Sequence, residues 1–200
     1  MLKERMLALQ REQEKIEVNS GRIYFVIPST HQYYDEFQEA HESYSDGTEK
    51  VYTTIAGALT TMRARVNWSA SPWGTGDKLY IMPGTYAENI TSLAHGVDII
   101  GIGHDIRDAN NGVKIKPASG APIDVSAIVN TRFENICFES ADTSSAFDGG
   151  EVNNCYFKNC MFTGAAEATT AVKAFITTDL TMTTFENCWF CNADYGFYAN

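Results

Sequence analysis

Apolar and polar residues alternate in three short segments in the second half of the chain. Each segment begins and ends with Phe, has Asn at its third position and has Ile or Cys at its fourth. Such alternation is typical of β-strands, in which successive side chains point to opposite faces. The first Phe residues of the copies lie 24 and then 28 residues apart, a period that indicates stacked supersecondary units. The copies are Phe133-Glu-Asn-Ile-Cys-Phe138, Phe157-Lys-Asn-Cys-Met-Phe162 and Phe185-Glu-Asn-Cys-Trp-Phe190.

Alignment of the three copies defines columns of equivalent positions. Both Phe columns, and the Ile136/Cys160/Cys188 column between them, can face inward together only if the chain turns a corner at the Asn. Asn tolerates the left-handed backbone conformation of such a corner, and its amide can bond along a stack. We therefore predict a ladder of amides at the three Asn positions. The ladder consists of Asn135, Asn159 and Asn187, and the columns before the first Phe are Ile128/Val152/Leu180 and Thr131/Cys155/Thr183.

The first half of the chain carries a helical pattern between strand patterns. Apolar residues recur at helical spacing over residues 52–66, which predicts a helix that covers the open end of the stacked units. A first strand begins near Gly21, and a second strand runs into the segment Pro83-Gly-Thr-Tyr-Ala-Glu88. The apolar stripe of the helix is Ile55, Leu59, Met62 and Val66.

This order of elements, together with the Phe-x-Asn repeats, resembles the pectate-lyase-like superfamily over roughly residues 22–200. The resemblance implies an all-β fold: a right-handed, single-stranded parallel β-helix, or solenoid, with an N-terminal α-helix and a helical cap. We expect three regions: an anchoring and oligomerisation helix in residues 1–20; the first strand, an acidic insertion and the capping helix in residues 21–77; and the β-helix rungs in residues 78–200. The scaffold alone does not specify an activity.

The first 20 residues show a heptad pattern of apolar residues, with charged residues on the other faces. A lone helix of this length is marginal in water, so we expect it to bundle with copies of itself or to dock into another protein. The alternative is a helix folded back on its own β-helix. The stripe consists of Leu2, Met6, Leu9 and Ile16.

Charge limits the classes of partner. The net charge of −10 argues against a nucleic-acid partner, because phosphate binding requires clustered Lys and Arg. No signal peptide or membrane-spanning stretch is apparent, which predicts synthesis in a cytoplasm and no membrane insertion. Many of the acidic residues lie between Asp35 and Glu49, and we interpret this segment as a solvated helical insertion.

The candidate chemistry is sparse. The five cysteines are an odd number, and the inward Cys160 and Cys188 are interpreted as small buried apolar residues. Cys188-Trp-Phe-Cys191 has no second ligand pair, and the cluster His31, Asp35, Glu39 and His41 is interpreted as solvated, so we predict no metal and no cofactor.

The charged residues that follow the first Phe of each copy are the candidates for a catalytic site. In the stacked copies Glu134, Lys158 and Glu186 form a column of alternating sign, which is typical of a surface charge ladder. Enzymes of this superfamily hold clustered carboxylates, or an Asp pair with an Arg. The sequence therefore predicts no catalytic residues and a protein that is not an enzyme.

One column is expected to face outward while remaining apolar: Cys137, Met161 and Trp189. An exposed apolar stripe suggests a contact surface, and we assign Met161 and Trp189 to partner binding together with the N-terminal stripe. The alternative is that side loops such as 164–178 cover the column. The chain stops in what resembles the start of another repeat, so we expect either a partner over that end or a longer protein.

These features favour a non-enzymatic phage virion protein: a capsid decoration, a head fibre, or the N-terminal anchor part of a tailspike or fibre. It would assemble in the host cytoplasm as a trimer docked through its N-terminus onto capsid, neck or tail proteins, with a host surface glycan as a further partner. The alternative is a carbohydrate-active enzyme or carbohydrate-binding module of the pectate-lyase-like superfamily.

Overall fold

The computed structural model describes residues 21–41, 43–65, 76–103, 105–108, 110–165 and 172–199. The predicted anchoring helix, with Leu2, Met6, Leu9 and Ile16, lies outside the described residues. The described part is mostly β, with two helices and eighteen strands. The helices are α1 (Tyr34–Ala40) and α2 (Ile55–Arg65).

The strands are short and alternate with turns along the chain. They are β1 (Ile23–Val26), β2 (Val51–Tyr52), β3 (Lys78–Ile81), β4 (Gly84–Tyr86), β5 (Asp98–Gly101), β6 (Val113–Ile115), β7 (Ala127–Val129), β8 (Arg132–Glu134), β9 (Ile136–Glu139), β10 (Phe147–Asp148), β11 (Glu151–Asn153), β12 (Tyr156–Lys158), β13 (Met161–Thr163), β14 (Lys173–Thr177), β15 (Asp179–Thr181), β16 (Thr184–Glu186), β17 (Trp189–Cys191) and β18 (Tyr195–Ala199).

Four sheets contain these strands, and all the strand pairings within the described ranges are parallel. Sheet 1 has the order β2-β1-β3-β5-β8-β12-β16, and sheet 2 has the order β4-β6-β9-β13-β17. Sheet 3 is β7-β11-β15, and sheet 4 is β10-β14-β18. Neighbouring strands of a sheet therefore belong to successive segments of the chain.

The register confirms the alignment of the three copies. Phe157 lies opposite Phe133 on one side and Phe185 on the other, which reproduces the spacings of 24 and 28 residues. Val152 lies in the same way between Ile128 and Leu180. Equivalent positions are therefore direct neighbours across the sheets.

Three columns of stacked Phe rings fill the interior of the repeat region. Successive rings in each column are nearly parallel, with centroids 4.8–5.4 Å apart. The third column was missed, because its members lie outside the repeated motif. Rings of the third copy are less buried than those of the other two. The columns are Phe133/Phe157/Phe185, Phe138/Phe162/Phe190 and Phe147/Phe175/Phe197.

The predicted corners are present at all three Asn positions. Asn135, Asn159 and Asn187 have φ values of 57°, 49° and 51°. The Asn159 side chain donates Nδ2–H to Oδ1 of Asn135 at 3.1 Å, as expected for an amide ladder. A second corner, which the sequence analysis missed, lies five residues earlier, where Asn154 Nδ2 donates to Asn130 Oδ1 at 2.7 Å. The corresponding position of the third copy is Met182 (φ 48°).

Helix α2 packs against the first strands of sheet 1 and buries Ile55, Leu59 and Met62. Val66, the fourth residue of the predicted stripe, lies outside the described residues. The Glu88 carboxylate accepts hydrogen bonds from the Ile55 and Ala56 N–H groups, both at 2.9 Å. Glu88 thereby fixes the beginning of the helix, a role that the sequence alone did not reveal.

The acidic insertion is only partly a solvated helix, which corrects the expectation. Helix α1 covers seven residues and lays Phe37 against Phe25 of β1, with ring centroids 5.3 Å apart. Beyond it, Tyr44 is buried, and its hydroxyl donates to the Ile23 carbonyl at 2.6 Å. The Tyr24 and Tyr44 rings meet edge to face at 5.8 Å, so part of the insertion belongs to the core.

Candidate functional site

A long connection replaces the corner between β5 and β6. Gly101 occupies the place that Asn135 fills in the next strand of sheet 1. The described residues between β5 and β6, which are 102–103, 105–108 and 110–112, belong to no strand, and this connection is called loop 102–112. A Cβ at Gly103 would lie 2.1 Å from the Asn111 carbonyl oxygen, and one at Gly112 would lie 2.2 Å from that of Asp105. Only glycine allows the two arms to approach so closely, so the connection projects as a narrow-necked loop.

This loop forms one wall of a groove of about 640 Å³, and the outer side of sheet 2 forms the other. The second wall is apolar where Met161 and Trp189 lie side by side, and it carries the corner amides at its edge. The groove is lined by Gly103, Asp105, Ile106, Arg107, Asn135, Asn159, Met161, Trp189 and Cys191.

Trp189 is the most exposed large apolar side chain of this groove, at 51%. Strand alternation places Phe190 inside the molecule, so its neighbour Trp189 points out. Across the groove the Arg107 guanidinium is held by Asp105, with Nε 3.3 Å from Oδ1, and its side chain remains 78% exposed. The groove therefore combines an indole face, a thioether, amide groups and an accessible cation.

The predicted outward column exists, but it is shorter than expected. Met161 lies opposite Cys137 and Trp189 in the register, yet Cys137 is fully buried. Lys114 of β6 lies opposite Cys137, and its Nζ is 2.8 Å from Glu139, two residues further along the same face. These long side chains enclose the small thiol, and burial raises the pKa of Cys137 to about 12. The exposed stripe consequently comprises only Met161, which is partly buried, and Trp189.

The alternative cover for this column was the segment 164–178, of which residues 166–171 lie outside the described residues. Loop 102–112 was not predicted to lie over this column. Its signal in the sequence was the pair of glycines at its neck, Gly103 and Gly112, around a segment rich in Asp and Asn. The partner of this loop lies far along the chain, and so the groove itself was not predictable.

The alternating charges form a ladder on sheet 1. Lys158 lies opposite both Glu134 and Glu186, and its Nζ is 3.7 Å from Glu134 Oε1. Arg132 also pairs with Glu134, while the Tyr156 hydroxyl bonds to Glu186. Each carboxylate of the column thus has its own neutralising or hydrogen-bonding neighbour.

Over the described ranges, no group of three or more His, Cys, Asp and Glu side chains is placed to hold a metal ion. Neither described helix has the length and apolar character needed to cross a bilayer. No family model, no curated protein and no solved structure matches this chain.

Proposed function

We propose that this chain is a non-enzymatic structural protein of a phage virion, whose four sheets are the faces of one right-handed parallel β-helix. In this proposal the body forms a trimer through Met161 and Trp189 together with the stripe in residues 1–20. The same N-terminal segment docks the trimer onto a capsid, neck or tail protein during assembly in the host cytoplasm. The role is a capsid decoration, a head fibre or the anchor part of a tailspike.

The sheet pairings support the β-helix. Strands separated by one repeat pair in parallel and in register, the corners of successive copies carry stacked amides, and each Phe column continues through three copies. A chain that winds repeatedly in one direction produces this combination, because each turn then lies on the previous one.

The charge ladder supports a non-enzymatic role. Catalytic carboxylates in lyases and esterases are crowded with like charges or bind a metal, which perturbs their ionisation. In the ladder, by contrast, Lys158 separates Glu134 from Glu186. Opposite neighbouring charges stabilise one another, so neither Glu134 nor Glu186 is crowded by a like charge in this ladder.

The exposed Trp189 beside Met161 is the observation that carries the assembly proposal. Trp and Met are enriched at the centres of protein interfaces, where burial of an indole contributes much of the binding energy. Here both side chains stand on neighbouring strands of a sheet, so a partner would meet a pre-organised surface. The proposed partners at this surface are further copies of this chain.

The test compares two exposed aromatic residues. Tyr195 is 48% exposed, close to Trp189 at 51%, and lies in sheet 4 rather than in the groove. We expect Trp189→Ser to shift the native mass from trimer toward monomer while circular dichroism is unchanged, and Tyr195→Ser to leave the trimer intact. Deletion of residues 1–20 should likewise leave the β body folded and remove the oligomer. A wild-type chain that is monomeric at micromolar concentration would contradict the proposal.

A second candidate function is carbohydrate binding, favoured by the composition of the groove. An exposed indole can stack on a sugar ring, and the Asn135 and Asn159 amides and Arg107 supply hydrogen-bonding groups nearby. In this case Trp189→Ser would leave the mass unchanged and abolish glycan-dependent quenching of tryptophan fluorescence. Polysaccharide cleavage, measured with and without Ca²⁺ and lost in Lys158→Ala, would support the enzymatic alternative instead.

A further inference from the structure

Two cysteines of successive copies lie directly over one another. Cys160 immediately precedes Met161 and Cys188 immediately precedes Trp189, and Met161 is opposite Trp189 in the register. Both thiols point into the molecule: the Cys160 thiol donates to the Phe133 carbonyl at 3.6 Å, and the Cys188 thiol donates to the Phe157 carbonyl at 3.5 Å. The two side chains therefore make the same contact one repeat apart.

The backbone geometry of this pair suits a disulfide. Neighbouring strands of a sheet are about 4.8 Å apart, which falls within the range of Cα separations that a disulfide spans. The two side chains also interact, since the Cys160 side chain is the main cause that lowers the pKa of Cys188 to about 7. Cys160 is fully buried, and burial raises its pKa, whereas Cys188 is partly exposed.

We propose that Cys188 is a peroxide-reactive thiol and that Cys160 resolves it, forming a disulfide between the second and third copies. The Cys188 thiolate attacks hydrogen peroxide, so that an S–O bond forms, the O–O bond breaks and hydroxide leaves. The Cys160 sulfur then attacks the sulfenic sulfur, an S–S bond forms and the S–O bond breaks. The departing hydroxide takes up the Cys160 proton as water, so two thiols and one peroxide yield one disulfide and two waters.

The local sequence would favour a different pair, Cys188 and Cys191. Those two residues lie on opposite sides of sheet 2, because Cys188 points inward and Cys191 lines the outer groove. A bond between them would require the strand to be rebuilt. The disulfide that the structure favours instead joins residues of neighbouring repeats. It would tie the partly exposed third copy to the buried second copy.

Equivalent corner positions of the fold contain either Cys or Thr, so Thr is a conservative replacement for the inward cysteines. Each inward cysteine follows a corner residue, and the neighbouring column has Thr131, Cys155 and Thr183 at its equivalent positions. Thr183 Oγ1 donates to the Val152 carbonyl at 3.2 Å, just as Cys155 Sγ donates to the Ile128 carbonyl at 3.6 Å. Replacement of an inward corner cysteine by Thr therefore keeps the corner hydrogen bond and removes only the thiol chemistry.

The experiment treats the reduced chain with hydrogen peroxide, blocks remaining thiols with N-ethylmaleimide and maps the peptides by mass spectrometry. We expect one intrachain peptide linking Cys160 to Cys188, and the loss of two hydrogen atoms from the intact mass. The midpoint temperature of thermal unfolding should rise by about 5–10 °C on oxidation and should return to its original value when dithiothreitol is added. Cys160→Thr and Cys188→Thr should abolish the link, while Cys155→Thr should retain it.

Three outcomes would overturn the proposal: a Cys188–Cys191 peptide, an interchain disulfide, or a sulfinic acid at Cys188 with Cys160 still reduced. The wild-type peptide map decides between them without any variant, so a folding defect in a Thr variant does not affect the result. The inference does not depend on the proposed virion role, because neither trimer formation nor glycan binding enters the measurement.

Discussion

Six of the seven non-glycine residues with positive φ in the described part are Asn. The left-handed conformation costs other L-residues about 1–2 kcal/mol, and Asn reduces this cost because its short amide can bond locally. Gly101 is constrained by space rather than by a positive φ. A Cβ there would lie 2.2 Å from the Asn135 carbonyl oxygen, so the position below the Asn ladder excludes any side chain.

Substitutions of Asn159 should separate the stability contributed by its left-handed backbone from that contributed by its amide hydrogen bond. Asn159→Gly keeps the left-handed backbone and loses the 3.1 Å amide bond to Asn135, which should lower the free energy of unfolding by about 1 kcal/mol. Asn159→Ala also has to hold a positive φ, so its loss should reach about 2–3 kcal/mol. Urea unfolding measures both values.

Asn153 provides the control, because it lies within β11 and is not among the positive-φ residues. Asn153→Ala should change the stability by less than about 0.5 kcal/mol. Equal losses for the Gly and Ala variants of Asn159 would show that backbone conformation does not limit the choice of residue at this corner.

Helix α2 shows how a secondary-structure element is fixed by residues outside it. Its first N–H groups are bound by Glu88, which lies between β4 and β5, and Thr54 Oγ1 accepts a further bond from Gly57 N–H at 3.2 Å. Near its other end, Arg65 Nη1 contacts both oxygens of the fully buried Asp77 at 2.9 Å. The helix is therefore held over the first strands by polar contacts as well as by its apolar stripe.

The hydrogen bonds that Glu88 accepts from the first turn of α2 predict the effect of replacing this residue. Glu88→Gln removes the negative charge at the positive end of the helix dipole and should cost about 1 kcal/mol, while Glu88→Ala should cost about 2 kcal/mol. Hydrogen exchange gives a local readout, since the Ile55 and Ala56 amides should lose protection first.

Glu49→Gln is the matched control, because Glu49 is exposed and lies outside α2 and its caps. Its effect should stay within about 0.5 kcal/mol, with unchanged exchange at Ile55 and Ala56. If the Glu88 variants leave these two amides equally protected, the carboxylate does not cap the helix.

Hydrogen bonds between residues far apart in the chain also connect loops to the sheets. His95 lies between β4 and β5, and its Nδ1 accepts a hydrogen bond from the Val129 N–H of sheet 3 at 3.0 Å. Burial lowers the pKa of His95, and the nearby Arg63 lowers it further. The folded protein therefore holds this imidazole in its neutral form.

This contact predicts a loss of stability in mild acid. The His95 pKa is lower in the folded than in the unfolded chain, so its contribution is complete above the unfolded value of about 6.5 and declines as the pH falls below it. Between pH 7 and pH 5 the free energy of unfolding should decrease. His95→Asn, whose side-chain oxygen can replace Nδ1 as the acceptor, should show a smaller decrease over that interval. Parallel pH dependences for wild type and variant would exclude His95 as the titrating group.

The strand columns and one of the two corner columns were predictable from the sequence, because strand alternation and the conformational tolerance of Asn are local properties that a repeat displays directly. Three features were visible only in the folded chain: loop 102–112 forms a groove with Trp189, Cys137 is buried beside Lys114 and Glu139, and Cys188 faces Cys160 rather than Cys191. Each of these depends on which segments meet across a sheet or a loop. Alternation gives the face on which a side chain lies, but the close packing of distant segments decides what covers it.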